Sequence, residues 1–276
     1  MSIWAIVLAD GHGSEVQKHI EEWFQDPCPK QFCTFCGTRS MLAHTLHRTA
    51  RIVDPERILT ILSKDQRCFL ADNLPGRCLE QPEQRGSAVG AFLAITEILA
   101  EDHDATALIV PADHLVLPED RFIEKLDETI RLANIHRTYE ISKFYDGPSR
   151  RETVEWWRSG HYWNTMIVTA RLKGLWELGW QLVPSVVYRF NQYLYILFAI
   201  QDGAIGADEK ELFLSLVYED IPSTDLSSQI LARATDHSLF CGLKDLYWSD
   251  WDRPERILET IERFGLKPNF QAGIPE

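Results

Sequence analysis

The chain has 276 residues, enough for a large α/β domain with a well-buried core, and 45% of them are apolar against 25% charged. Its formal net charge of -13 excludes the broad basic surface that non-specific binding to nucleic acid or to an anionic membrane requires. A mononucleotide is compatible with that charge, because helix N-termini and a divalent cation hold phosphates inside acidic proteins.

Ile3 to Leu8 is an uninterrupted apolar segment that leads into Ala9-Asp10-Gly11-His12-Gly13-Ser14. A strand followed by a glycine turn is how a backbone is brought close to phosphate. Val16, Ile20, Trp23 and Phe24 then mark one face of a helix, which Asp26-Pro27-Cys28-Pro29 ends. Lys30-Gln31-Phe32 reads as a short extended piece, and the stretch carrying Met41, Leu42, Leu46 and Ile52 as a helix. Arg57 to Leu62 and Arg77 to Gln81 read as the second and third strands, with a short helix from Lys64 to Leu70 between them. Gly86 and Ser87 open a helix over Ala88 to Leu99.

Ala107 to Val110 is a run of apolar residues closed by Pro111, which predicts a strand buried on both faces. Asp113 then stands just past a strand's carboxyl end, the edge where open α/β sheets bind ligands. Its residue type there suits a magnesium ligand for a phosphorylated substrate and the cap of a following helix equally well.

Pro118 to Ala133 reads as the next helix, Tyr139 to Phe144 as a strand and Arg150 to Arg158 as a helix; His161-Tyr162-Trp163-Asn164 leads into a strand through Val168. Arg171 to Ile200 is mostly helical with a break at Pro184, and Asp208 to Val217 is another helix. A Ser223-Thr224-Asp225 cap precedes a helix from Leu226 to Ala234, Leu239 to Leu243 reads as a strand, and Trp248 to Asp252 as a loop. Pro254 to Phe264 is a final helix with proline in its first turn. Alternating strands and helices in the first half predict a parallel sheet covered on both faces, in a single domain over 1–276 with a helical elaboration at about 171–217.

No secretory leader is recognised ahead of Ile3, and six cysteines in a chain of this size do not make a disulfide scaffold, so the expectation is reduced thiols in the cytoplasm. Cys33 and Cys36 with His44 and His47 are spaced more tightly than a zinc finger requires. They read as packing residues and as neighbours on a helix surface.

Taken in order, Leu8-Ala9-x-Gly11-x-Gly13, Pro29-Lys30-Gln31-Phe32, Pro82-x-x-Arg85-Gly86-Ser87-Ala88, Pro111-Ala112-Asp113-His114, Trp163-Asn164 and Trp248-Ser249-Asp250 resemble the landmarks of the sugar-phosphate nucleotidyltransferases, most closely the mannose-1-phosphate guanylyltransferase branch. The resemblance runs nearly end to end. It implies a Rossmann-like, mostly parallel sheet with helices on both faces, of the nucleotide-diphospho-sugar transferase type. It also implies transfer of a nucleotidyl group from a nucleoside triphosphate to a sugar 1-phosphate with release of pyrophosphate, GMP from GTP to mannose 1-phosphate in that branch.

By the same resemblance, Leu8, Ala9, Gly11, Gly13, Gln81, Arg85, Gly86 and Ser87 contact the nucleotide and Asn164 the sugar phosphate. Asp113 and Asp250 hold magnesium, and Lys30 neutralises phosphate charge; these last three are the implied catalytic set. No nucleic-acid or membrane partner is implied, and self-association is compatible with the sequence.

The sequence departs from that pattern at specific positions. Asp10 stands where the family's loop has a second glycine, and Glu15 where it has an arginine facing the triphosphate. At a separation near 4 Å and an effective dielectric of about 20, a unit charge pair is worth roughly 4 kcal/mol, so the reversed sign at Glu15 bears directly on activity. Gly147 replaces a lysine expected near the sugar phosphate, and the stretch between Ala133 and Phe144 lacks a strand and a Tyr-Gly piece of the sugar pocket. These departures motivate a second expectation, a catalytically degenerate relative that serves as a nucleotide-binding or protein-interaction module.

Overall fold

The computed structural model describes residues 2–11, 16–135, 152, 155, 158, 159, 163–234 and 241–270. The apolar runs of the first half form the main sheet. β1 (Ile3–Leu8), β2 (Ile58–Ser63), β3 (Arg77–Gln81) and β4 (Thr106–Pro111) pair in parallel in the order β3-β2-β1-β4. β1, β2 and β4 are buried along nearly their whole length, as strands covered on both faces must be. The chain extends the sheet one way through β2 and β3 and the other way through β4, so a crevice opens at the carboxyl ends of β1 and β4, where Leu8 lies beside Pro111.

Helices cover both faces. On one, α3 (Ser87–Glu101), α5 (Leu172–Leu182) and α6 (Pro184–Gln201) bury Phe92, Ile95, Val187, Phe190 and Tyr193 against Ile6 and Ile109, and Tyr218 of α7 (Lys210–Glu219) joins the same cluster. The helices of the elaboration therefore share the sheet's core. On the other face, α2 (Met41–Thr49) and α4 (Glu119–Ile135) bury Leu42, Leu46, Phe122 and Leu126 against Val7 and Val110. A third cluster joins α1 (Gln17–Phe24) to α9 (Pro254–Phe264) through Ile20, Trp23, Phe35, Trp251 and Ile257. No helix among the described residues is long and apolar enough to cross a membrane.

A two-stranded ribbon that the sequence pattern does not reveal positions the site. β5 (Leu115–Leu117) pairs antiparallel with β7 (Tyr247–Ser249), Leu115 opposite Ser249. Strands this short carry no periodicity to read. The stretch from Trp248 to Asp252, expected as a loop, thus begins in a strand. Asp113 is followed by β5 and α4 starts only at Glu119, so Asp113 caps no helix.

Other expectations shift. Lys30–Phe32 is a tight 3₁₀ turn rather than an extended piece, with the Phe32 and Cys33 amides bonded to the Pro29 and Lys30 carbonyls at 2.9 and 3.1 Å. The strand expected to end at Val168 begins there: β6 (Val168–Arg171) runs antiparallel to β4 at the sheet edge. The helix expected from Leu226 to Ala234 stops early as α8 (Leu226–Gln229), before a separate 3₁₀ turn at Leu231–Arg233. There the Ser227 hydroxyl donates to the Met166 sulfur and the Ser228 hydroxyl to the Asp225 carboxylate that caps the helix. Residues 241–243 form no strand. Tyr139 to Phe144, most of 150–158, Leu239 and Phe240, and the departures at Glu15 and Gly147 lie outside the described residues, as does Gly13.

Candidate active site

The β5–β7 register brings two distant aspartates together. With Leu115 opposite Ser249, continuing the ribbon by one residue sets Asp250 opposite His114, beside Asp113 at the carboxyl end of β4. Lys30 reaches the same point from its 3₁₀ turn. Its side chain is 1% exposed, and its ammonium meets Asp113 Oδ2 at 2.7 Å, the main-chain oxygen of Asp250 at 3.1 Å, and the Asp252 carboxylate. An ammonium has three hydrogens, and these partners engage all of them. Asp250 turns its own carboxylate to Arg256 of α9.

Burial works against charge on Lys30, but the Asp113 and Asp252 carboxylates overcome it and hold its pKa above the ordinary lysine value. Burial would also raise Asp113; Lys30 outweighs it, and the carboxyl sits below the usual range. Asp252 goes the other way. Burial, with Asp113 and Asp250 nearby, holds it above the usual range in spite of Lys30, so Asp113 is the firmer anion of the two. Burial pushes His114 down to about 4, which leaves it neutral near pH 7. Its Nδ1 accepts from Trp248 Nε1 at 3.2 Å, so the proton rests on Nε2, which faces Asp113 Oδ1 at 3.9 Å.

The donor set suits a hard divalent cation in one way. Asp113 and Asp250 supply carboxylate oxygens at a strand end, and magnesium is commonly held by one or two carboxylates plus substrate phosphates. Among the described residues no group of three or more His, Cys, Asp or Glu forms a metal cage, so such an ion would need oxygens from a substrate. Cys33 and Cys36 pack into the third apolar cluster.

Side-chain amides hold the backbone from Ala9 to Gly11. Gln31 Nε2 donates to the main-chain oxygens of Ala9 and Gly11 at 2.5 and 2.9 Å, and Gln66 and Gln84 donate to that of Asp10. Leu8 and Ala9 are buried, whereas Gly11 is exposed with open space where a Cβ would stand. The backbone there is accessible to a ligand.

The residues expected at the base behave unequally. Gln81 is fully buried, its amide donating to Asp10 Oδ2 at 2.9 Å and its oxygen accepting from Tyr218 at 2.8 Å, so it underpins the turn instead of facing a ligand. Arg85 pairs with Glu83 at 2.7 Å. Gly86 adopts φ +91° and lies against the backbone of Thr224, and Ser87 Oγ donates to Asp225 at 2.8 Å. Asn164 Nδ2 donates to Ser227 at 2.8 Å, and its neighbour Trp163 lies under the Arg256 guanidinium, 6.0 Å from the ring centre. The segment at 163–164 therefore sits beside the aspartate cluster.

Sequence reasoning missed Gln31, Asp252 and Arg256. Gln31 was in view inside the Pro29-Lys30-Gln31-Phe32 run. No local pattern marks Asp252 and Arg256, whose partners lie elsewhere in the fold.

No protein-family model matches the chain. It is 22% identical to a mannose-1-phosphate guanylyltransferase of Escherichia coli over 285 residues, covering 89% of this chain and 57% of that one. The chain thus spans little more than half the length of the curated relatives it matches. A solved structure described as a mannose-1-phosphate geranyltransferase from Thermus thermophilus superposes with a TM-score of 0.73 at 23% identity, covering 94% of this chain and 79% of that one. The fold is that of the sugar-phosphate nucleotidyltransferases. The same architecture extends to an inositol-1-phosphate CTP transferase from T. maritima, with a TM-score of 0.52 at 14% identity over 95% and 96% of the two chains.

Proposed function

We propose that this chain transfers a nucleotidyl group, GMP from GTP, to a sugar 1-phosphate, mannose 1-phosphate, and releases pyrophosphate. The observation that carries this reading is the meeting of Asp113, Asp250 and the buried Lys30 ammonium at the β1–β4 carboxyl edge, on the same edge as the exposed Gly11.

On this reading the triphosphate lies on the Gly11 backbone, with Arg85, Gly86 and Ser87 along the base side. Magnesium held by Asp113 and Asp250 would supply charge neutralisation to phosphate oxygens. Lys30 keeps the two aspartate segments at one point and adds a fixed positive charge that needs no reorganisation. Neutral His114 keeps its Nε2 3.9 Å from Asp113 Oδ1 and adds no charge of its own near pH 7. The sugar-phosphate oxygen attacks the α-phosphorus, the bond to the pyrophosphate oxygen breaks, and no side chain has to form a covalent bond. Alignment of two anions is the protein's main task.

The test is pyrophosphate release from a mixture of GTP, magnesium and mannose 1-phosphate, extended to a panel of nucleoside triphosphates and sugar phosphates. Release with one pair supports the reading; silence with every pair ends it. One observation favours a second reading, a non-catalytic nucleotide binder: the three hydrogens of the Lys30 ammonium are engaged by protein groups, and Gln81 is buried with Asp10 on its amide nitrogen and Tyr218 on its oxygen. Calorimetry showing GTP binding without turnover would select it.

A further inference from the structure

We propose that Thr45 and Arg48, one turn apart on α2, fix the position of Asp113 by gripping the main chain on either side of it; this rests on the nucleotidyl-transfer reading above. The Thr45 hydroxyl donates to the Ala112 main-chain oxygen at 3.3 Å. The Arg48 guanidinium donates to the main-chain oxygen of His114 at 3.4 Å and to Thr45 Oγ1 at 3.1 Å. The carbonyls just before and just after Asp113 are therefore tied to one helix, and the two side chains that hold them are tied to each other.

The burial of Arg48 is the observation that needs a reason. Its side chain is 5% exposed, and burial draws its pKa below the ordinary arginine value although the Glu119 carboxylate opposes this. A cation taken this far out of water is weak evidence for stability, because an apolar side chain of like volume often fills such a place at no loss. What an apolar side chain cannot do is hold carbonyl oxygens. Glu119 meets Arg48 at 3.4 Å from the surface, whereas the oxygens that Arg48 reaches inside belong to Thr45 and to the His114 main chain.

Asp113 stands where such a hold matters. β4 ends at Pro111 and β5 starts at Leu115, so Asp113 lies in the turn between the two sheets. β1 secures that turn at one point, where the Ala112 amide donates to the Leu8 carbonyl at 3.0 Å. The Asp113 carboxylate meets Lys30 at 2.7 Å and, on the reading above, a magnesium ion, whose octahedral shell tolerates little displacement.

α2 is a firm origin for the grip. Its Leu42 and Leu46 are buried against Val7 and Val110, which refers Asp113 to the core of the sheet. Phe122 of α4 lies against the guanidinium, with its ring centre 5.2 Å away, so Arg48 is itself held in place. Thr45 and Arg48 are positioning residues; their work is done through Asp113.

The test compares T45V, T45S and R48M in the full chain, assayed well below the melting temperature of each. T45V keeps the side-chain volume and removes the hydroxyl. T45V and R48M are expected to lower kcat and to raise the magnesium concentration for half-maximal turnover, each by about tenfold or more, as loss of a partner that orients a metal-binding group does. KM for the sugar phosphate should stay within about threefold of wild type. T45S is expected to regain most of both losses, since it keeps the hydroxyl. A role in stability alone lowers the melting temperature and leaves the magnesium requirement in place. If the wild type turns over and T45V and R48M change neither quantity, or T45S is as impaired as T45V, the assignment is wrong and nucleotidyl transfer stands. T45V carries the test should R48M fail to fold.

If the wild type turns over with no pair, nucleotidyl transfer is wrong, and the grip on Asp113 is decided by crystal structures of wild type, T45V and T45S. T45V is expected to carry the Asp113 carboxylate more than about 0.5 Å from its wild-type place against Lys30, and T45S to return it. Superposable carboxylates in wild type and T45V overturn the inference.

Discussion

Gln31 donates its side-chain amide to the main-chain oxygen of Gly11 at 2.9 Å, from the position immediately after Lys30. One 3₁₀ turn therefore fixes both the glycine turn and the cation between the aspartates. Q31L removes two hydrogen bonds and leaves the buried Ala9 carbonyl without this donor, at a cost of about 1–3 kcal/mol per unsatisfied group. For a chain of this size each kcal/mol lowers the melting temperature by about 2–4 °C. A melt of Q31L is expected to fall by several degrees, with nucleotide affinity lost more than sugar-phosphate affinity. A wild-type melt and affinity would show that the turn holds its shape unaided.

K30M tests the cluster itself. Removing the buried ammonium leaves Asp113 and Asp252 facing each other without their shared partner, and breaking a buried pair in this way costs about 3–5 kcal/mol. Thermal melts are expected to show that loss, together with a larger stabilisation of K30M than of wild type by added magnesium. No stabilisation of K30M by magnesium would mean that the carboxylates released from Lys30 do not bind a divalent cation.

The fold was legible where each strand carried its own burial signal. Ile3 to Leu8 and Ala107 to Val110 are apolar on both faces, and that alone marks them as central parallel strands. Residues 77–81 were placed with the right bounds even though only Gln81 is buried there. The ribbon of β5 and β7 was not legible, because three residues show no period and its stability comes from pairing across 130 residues of chain. Within the site, Asp113, Asp250 and Lys30 could be named from the resemblance. Their partners could not: Asp252 and Arg256 look like ordinary surface charges until the ribbon folds back. Gln81 shows the converse. Its type and place suggested a base reader, but Asp10 and Tyr218 engage both ends of its amide.

Asp225 links the start of α3 to α8, accepting from Ser87 Oγ and from the Ser228 amide, both at 2.8 Å. Partial burial raises its pKa, but these hydrogen bonds prevail and hold it below the ordinary aspartate value. The sign follows: its contribution is complete above the unfolded value near 3.8 and is lost as pH falls through the lower folded value. D225A is expected to cost about 1 kcal/mol near neutral pH, as loss of an N-cap does. Denaturant titrations should show the gap to wild type begin to narrow as pH falls below about 3.8 and close only below the lower folded value, where the carboxylate is protonated in both states. A gap that persists unchanged into acid would assign the effect to packing.

Tyr218 carries the helical elaboration into the nucleotide side. Its buried hydroxyl donates to Gln81 Oε1 at 2.8 Å, and burial, with Asp10 nearby, raises its pKa well above the ordinary tyrosine value. Y218F keeps the ring and leaves the Gln81 oxygen without that donor, so about 1–3 kcal/mol of stability should go, and the Gln81 amide is freed to turn. Relaxed discrimination among nucleoside triphosphates, in binding or in turnover, is the expected second effect. A destabilised Y218F with unchanged nucleotide preference would confine this network to scaffolding.

Gly86 gives the sharpest structural test, because two independent penalties meet there. At φ +91° and ψ 164° it occupies a region that is essentially glycine's alone, where another residue is strained by about 1–3 kcal/mol. A Cβ would also collide with the Thr224 carbonyl oxygen and stand 2.9 Å from its carbon. Those are backbone atoms and cannot rotate away, so G86A has to push the 222–226 segment off the start of α3. That movement breaks the bonds from Thr224 N to Arg85 O at 2.8 Å and from Ala88 N to Thr224 O at 3.1 Å. The expected result is a loss exceeding about 3 kcal/mol, with hydrogen exchange accelerated at the Thr224 and Ala88 amides before the rest of α3. T224A should not rescue it, since the clash is with main chain. Rescue by T224A, or native exchange at both amides in G86A, would show that the two segments are not held together in this way.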